Sequence, residues 1–348
     1  ANPGEIAKPL TMVSAPVLPR PLQQGWQVVK RLAAIQPKEG GTTVGLDVGS
    51  SSIKAVALGP HKTLGSRRVL GQQLVELTAG DESRIPDAIR QALNGLRVPR
   101  LKGVTMAVSG QWVVLRVVEM PTLTPEEFRQ ALPFEAQRSL PFNIQDVVLD
   151  GAVLGASGGS KMWVLVAACK KDVLERRLAW VKQAGCDVTT VDVDALALAN
   201  AFLEHADHRG RTDTPALINV GAQWTNLAVL KAGVPYLVRD IPWGAEKFIQ
   251  DIAQRCSVDQ PAASAQLRQP TLPPPQVFEA FVAACETLVQ ELQLSFDFFE
   301  SHFGPSPSPL LLSGGLSQSA GFLEALKKHL TQPLVPWPFS QRWPHAPQ

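Results

Sequence analysis

Residues 45–58 read GLDVGSSSIKAVAL and residues 217–230 read LINVGAQWTNLAVL. Superimposed, Asp47 falls on Asn219, Gly49 on Gly221 and Leu58 on Leu230. Each copy is an apolar run, a polar side chain, a glycine, a polar turn and a returning apolar run. That pattern predicts a β-hairpin with a small-residue turn, Val44–Val48 against Ile53–Leu58 and Ala216–Val220 against Asn226–Leu230. Glycine and small hydroxyl residues leave the backbone N–H groups of such a turn free to point at an anion. Two turns of this kind facing one another across a cleft would hold a nucleotide's phosphates from both sides. A third turn, Ser313-Gly314-Gly315, stands between the strand Leu310–Leu312 and the helix Ala320–Leu330, where close backbone approach and a helix start suit a nucleotide.

Outward from these hairpins the pattern repeats, strands first and helices after. Val104–Val108 and Val113–Val118 predict strands, while Pro125–Leu140, Lys171–Ala184 and Ala280–Phe299 have helical composition and spacing. The expectation is an α/β protein in two halves. Ser257–Gln276, rich in Ala, Gln and Pro, reads as an irregular surface stretch. At the start, Pro3, Pro9, Pro16, Pro19 and Pro21 argue for disorder. Leu22, Trp26, Val29 and Ala33 then recur at helical spacing beside Lys30 and Arg31, a short amphipathic segment that packs on the protein's own body or docks on a partner or membrane surface.

Bulk properties exclude several classes. The 348 residues are many for one core, and 45% apolar with 18% charged residues describes an ordinary globular chain. A net charge of +2 argues against an extended nucleic-acid surface. Cys169, Cys186, Cys256 and Cys285 lie far apart with no ligand-like spacing, so they read as thiols of a reducing compartment. His205 and His208 run into a polar loop and read as solvated, not metal-binding. No stretch approaches the roughly 20 apolar residues of a transmembrane helix, and no signal-peptide pattern opens the chain, so a cytoplasmic protein with peripheral membrane association is expected.

The order of turns resembles the actin-like ATPase superfamily: a first phosphate hairpin, a second phosphate hairpin and an adenosine turn. Within it the chain is similar to the PilM family of the type IV pilus. ALPFEAQRSLPFNIQDVVLDGAVLG at 131–155 resembles the stretch that separates that family from FtsA, through Phe134, Glu135, Leu140, Pro141, Phe142, Leu149 and Asp150. Further similarity runs through 191–202, 237–248, 291–299 and 310–326, and the whole covers about residues 42–335. The resemblance implies a bilobed actin-like ATPase fold with an FtsA-type inserted subdomain. It divides the chain into 1–41, a Pro-rich tail with a short amphipathic segment; 42–111 and 187–214, the first lobe; 112–186, the inserted subdomain; 215–335, the second lobe; and 336–348, a Trp/Pro-rich tail. It also implies a scaffold role, with the N-terminal cytoplasmic segment of PilN bound in a groove beside the insertion. Other pilus platform or motor proteins and self-association are the further contacts expected, with ATP and Mg²⁺ as cofactors.

Carried over by position, Asp47 orients Mg²⁺ through water, Gly49, Ser50, Ser51 and Ser52 hold phosphates, and Lys54 adds positive charge if it turns into the cleft. In the second half Asn219, Gly221, Gln223, Thr225 and Gly244 take part, and Gly314 and Gly315 flank the adenosine. Where this family carries Asp, Asn219 removes a negative charge beside the metal, and Mg²⁺ prefers carboxylate oxygens. A turn-stabilising amide is the other reading of Asn219. The family's Glu and Lys beside the base are replaced by Ala265 and Arg268, and its double glycine by Gly244-Ala245. Weak or absent hydrolysis is therefore expected. Asp194 is the remaining water-orienting carboxylate, or else a helix-start residue. Active ATPase or kinase chemistry is the alternative, and the Pro-rich end around Trp337 and Trp343 speaks against an FtsA-like terminal helix.

Overall fold

A computed structural model describes residues 41–59, 68–78, 80–98, 101, 103–205 and 213–337. The amphipathic segment at 22–33, His208 and Trp343 lie outside the described residues. The chain divides into two compact units, Ala1–Ala206 with Ser340–Gln348, and Asp207–Phe339.

The first unit runs β1 (Thr43–Val48), β2 (Ser52–Leu58), β3 (Val69–Glu76), α1 (Ile85–Gly95), β4 (Val104–Val108), β5 (Val113–Pro121), α2 (Pro125–Ser139), β6 (Val147–Gly158), β7 (Lys161–Lys170), α3 (Lys171–Gln183), β8 (Val188–Val193) and α4 (Asp194–His205). In β1 the side chains alternate: Val44, Leu46 and Val48 are buried, while Thr43, Gly45 and Asp47 face the other way. That alternation fixes the register, with Asp47 opposite Lys54 and Val48 opposite Ile53. The sheet orders β3-β2-β1-β4-β8, antiparallel through the hairpins and parallel from β1 to β4 to β8.

Between β4 and β8 stands a separate sheet, β5-β7-β6, covered on one face by α2. Helix α2 starts where the sequence predicts, because Thr124 and Glu127 form a reciprocal capping box and Pro125 pre-sets the first turn. Phe128, Leu132 and Ala136 recur at helical spacing and pack on Met120, Val147, Leu149, Met162, Val164 and Val166. Asp150 of β6 pairs with Ala167 on the face of the sheet away from α2, and burial pushes its carboxyl up to about 7 although the Gly151 N–H donates to it at 2.8 Å. Helix α3 returns the chain to the larger sheet and packs on α1 and β8.

The second unit runs β9 (Ala216–Val220), β10 (Thr225–Lys231), β11 (Val234–Ile241), α5 (Ala245–Cys256), α6 (Gln260–Leu267), α7 (Pro275–His302), β12 (Leu310–Gly314), α8 (Ala320–Lys327) and β13 (Leu334–Pro336). Its sheet orders β11-β10-β9-β12-β13, antiparallel on the hairpin side and parallel on the other. Strand for strand this is the order of the first unit, so the echo between 45–58 and 217–230 is the visible part of a repeated topology. The core centres on Trp243, Phe248, Phe281 and Phe322, whose rings meet at 5.0–6.1 Å between neighbours.

One expectation is corrected. The stretch 257–276 is not irregular throughout, since Gln260–Leu267 is helical and α7 begins at Pro275. Asp259 caps α6 by accepting the Ala262 N–H at 2.8 Å, Pro261 sits in the first turn, and Ala263 is buried. The prolines that suggested irregular structure lie at 270, 273 and 274 in the link and at 275 in the first turn of α7, and Ala and Gln within α6 are helix formers.

Candidate functional site

In the first unit the parallel strands β1, β4 and β8 end together, and ligands of α/β sheets gather at such carboxyl ends. Here Gly49 N–H donates to Ser52 O at 3.1 Å, closing the turn of the first hairpin. A Cβ on Gly49 would lie 3.0 Å from that oxygen, so the turn is tight and its backbone must give slightly for any side chain there. Ser50 and Ser51 are exposed, and Ser52 is buried. Lys54 Nζ donates to Asp47 Oδ2 at 2.7 Å across the two strands, with side chains 53% and 44% exposed. The ammonium thus stands beside the turn, paired with the carboxylate. Arg177 of α3 adds a second cation by donating to Val48 O at 3.0 Å. Asp194 opens α4, and next to it Asp192 accepts from Val193 N–H and Asn200 Nδ2 while burial raises its pKa.

The second unit brings three turns together at the carboxyl ends of β9 and β12. The hairpin turn is closed by Gly221 N–H donating to Trp224 O at 2.9 Å. The first two N–H groups of α5, on Ala245 and Glu246, donate to Gly221 O and Ala222 O, so the turn sits on that helix start. Such contact leaves no room for side chains: a Cβ on Gly244 would lie 2.4 Å from Ala222 O, and one on Gly314, at φ +93, 2.1 Å from Val220 O. Gln223 Nε2 donates to Glu246 Oε2 at 3.1 Å. Thr225 is buried and its hydroxyl donates to Trp243 O at 2.8 Å, bracing the turn from behind. Gly315 stands in open space at the start of the short turn before α8. Helix α6, which carries Ala265, packs beside α8.

Asn219 heads a side-chain chain that the sequence reading did not find. Its Nδ2 donates to Asn226 Oδ1 at 3.0 Å, Asn226 Nδ2 donates to Asp240 Oδ1 at 2.8 Å, and Ser313 Oγ donates to Asn219 Oδ1 at 3.2 Å. Asn226 stands opposite Asn219 in the register, the place Lys54 holds against Asp47. The signal was available, because Asn226 follows Asn219 by the same seven residues that separate Lys54 from Asp47. Arg177, far along the chain in α3, carried no such signal.

The donor set decides between ligands. Mg²⁺ held by side chains needs carboxylate oxygens at octahedral spacing. Asp47 is engaged by Lys54, and the Asn219 amide is committed at both ends. Among the described residues no group of three or more His, Cys, Asp or Glu is placed to hold a metal. The residues do not fit an ion held directly by the chain. They do fit an anion in the first unit, where a glycine turn with exposed serines lies beside Lys54.

Two units of one strand order, each with a glycine hairpin at the carboxyl end of its parallel strands and a separate sheet inserted in the first, define an actin-like α/β fold. The family model of type IV pilus assembly protein PilM matches residues 45–341, and the chain belongs to that family. A solved structure of the PilM-PilN type IV pilus biogenesis complex shares the fold at TM-score 0.75 and 24% identity, over 88% of this chain and 90% of that chain. More distant likenesses are the ethanolamine utilization protein EutJ from Carboxydothermus hydrogenoformans, at TM-score 0.48, 14% identity and 88% of both chains. The cytoplasmic domain of EpsL, an inner membrane component of the type II secretion system of Vibrio cholerae, matches at TM-score 0.48 and 13% identity, over 87% of this chain and 94% of that chain.

Proposed function

We propose that this protein is a scaffold of the type IV pilus inner-membrane platform that holds the N-terminal cytoplasmic segment of a PilN-type protein. The observation that carries this is the family match over 45–341, supported by the likeness to a PilM-PilN complex. The peptide's place is the surface beside the inserted sheet, where Lys170 lies between the rings of Trp112 and Phe142 at 4.7 and 5.2 Å. Among the described residues no helix is long and apolar enough to cross a membrane. Attachment of this chain to the cytoplasmic face of the inner membrane then runs through its partner.

In this reading the phosphates of ATP meet Gly49–Ser52 and Lys54 of the first unit, and within the second unit Gly221, Gln223, Gly244, Gly314 and Gly315 are the residues assigned to nucleotide. With Asp47 paired and Asn219 committed to neighbouring side chains, the binding is weak, nearly independent of Mg²⁺, and accompanied by little or no hydrolysis. Isothermal titration tests both parts. A synthetic PilN N-terminal peptide binds tightly with or without nucleotide; failure of the peptide to bind at any accessible concentration overturns the scaffold reading. Tight Mg²⁺-dependent ATP binding with turnover returns the enzyme reading.

A further inference from the structure

Helix α3 buries Val173, Leu174 and Val181 against the rest of the first unit. Arg177 stands four residues after Val173 and four before Val181, so helical spacing puts it on that packed face. It is half-buried there, and among the described residues its one hydrogen bond is the donation from Nη1 to Val48 O at 3.0 Å. The nearby Cys169 thiol offers it no anion, because burial pushes that group up to about 11. A cation on the packed face of a helix gives up hydration that one carbonyl does not replace. The remaining N–H groups of the guanidinium thus stand ready for an acceptor from outside the chain.

The chemistry of that acceptor follows from the place. Val48 ends β1 and immediately precedes Gly49, so the guanidinium is held at the carboxyl end of the parallel strands, beside the turn of exposed Ser50 and Ser51. The charge of Lys54 is balanced by Asp47 at 2.7 Å, and the Gly49 N–H is spent on Ser52 O. Arg177 has no acidic partner among the described residues, so it brings the turn a positive charge that no carboxylate offsets. A planar guanidinium meets the oxygens of a phosphate group two at a time, which an ammonium does not. Since the donor set does not fit a directly held Mg²⁺, the charge of a bound phosphate must be met by a cation of the chain itself.

We propose that Arg177 is a phosphate-binding residue of the first unit, and that this site takes a phosphate group without metal, the guanidinium supplying the compensating charge. The inference rests on the nucleotide reading above for the ligand, and adds to it the residue and the charge that hold the phosphate chain.

Titration calorimetry of the full chain in EDTA tests it, with ATP and inorganic tripolyphosphate as probes and a PilN N-terminal peptide as the control. The wild type binds both phosphate probes without metal. Arg177→Gln keeps a donor for Val48 O but no charge, and loses about tenfold or more in affinity for both probes. Arg177→Lys restores the charge without the fork and recovers part of that loss. Both variants melt with the wild type and bind the peptide as it does. Unchanged ATP affinity in Arg177→Gln overturns the role of Arg177 and leaves the nucleotide reading standing. A wild type that binds neither probe, with or without Mg²⁺, overturns the nucleotide reading and this inference with it. Phosphate binding that requires Mg²⁺ overturns the metal-free site. Equal losses in both variants together with lowered melting temperatures make Arg177 a brace for Val48 alone, and overturn the proposal.

Discussion

The hairpins β1–β2 and β9–β10 share topology, register and a glycine turn, yet their facing polar pairs differ. In the first, Asp47 and Lys54 form an ion pair about half open to solvent. In the second, Asn219 and Asn226 occupy the equivalent places, Asn226 is buried, and Ser313 and Asp240 extend the pair into a neutral amide chain ending on a carboxylate. A solvated ion pair remains exchangeable, because water screens it and a phosphate competes for the ammonium. A buried amide chain is fixed, since breaking it leaves donors unpaired. The difference teaches that the first hairpin keeps its charges open to solvent while the second has turned the same position into structure.

The largest expected effect tests how rigid the second unit's turns are. Gly314→Ala places a Cβ against Val220 O at positive φ and lowers unfolding free energy on the order of 3 kcal/mol, measured by urea denaturation. Gly49→Ala in the first unit, with a 3.0 Å contact and no positive φ, costs about 1 kcal/mol. Equal losses would erase the contrast between the two turns.

The insertion, found in the first unit, gives a pH signature. Asp150 has a folded pKa of about 7 against an ordinary 3.8, so it imposes no penalty below pH 3.8 and destabilises progressively as pH rises to 7. Asp150→Asn therefore melts several degrees above wild type at pH 8, and the gap closes as pH falls toward 4. A constant gap at every pH would show that titration of Asp150 is not its source.

Asn219→Asp sharpens the comparison directly. The new carboxylate faces the Asn226 oxygen, costs about 1 kcal/mol of stability without metal, and makes nucleotide affinity rise with Mg²⁺ in titration calorimetry. Unchanged metal dependence would mean that the Asn219 position does not govern the metal. The smallest structural effect belongs to Lys54→Gln. Stability stays within about 1 kcal/mol of wild type because the ion pair is solvated, while ATP affinity falls several-fold; unchanged affinity would remove Lys54 from the site.

The sequence showed what is local and periodic. The hairpins and the helices α2 and α7 follow from spacing and composition, while the Thr124–Glu127 cap of α2 emerged only in the structure. Helix α6 was hidden because prolines near it outweighed an Asp259 cap and an alanine-rich interior. The site was legible where one strand carries it, as at Asp47, Gly49 and Lys54. It was illegible where β11 or α3 supplies a group from far along the chain, as Asp240 and Arg177 do. The role of Thr225 shows the same limit, because a threonine beside a glycine turn reads as a ligand donor until its hydroxyl is seen to face Trp243 O.

The two sheets keep one strand order although the connections between their strands differ greatly. The first unit carries a whole extra sheet between its fourth and fifth strands, and the second carries three helices between its third and fourth. The ladder of five strands is thus common to both units, and the differences are confined to the crossovers. Insertions there leave strand register untouched, so one unit carries an added sheet and the other an added set of helices on the same ladder. Grafting a relative's insertion between Val108 and Val188 therefore tests whether the proposed peptide surface travels with the inserted sheet while the ladder stays unchanged.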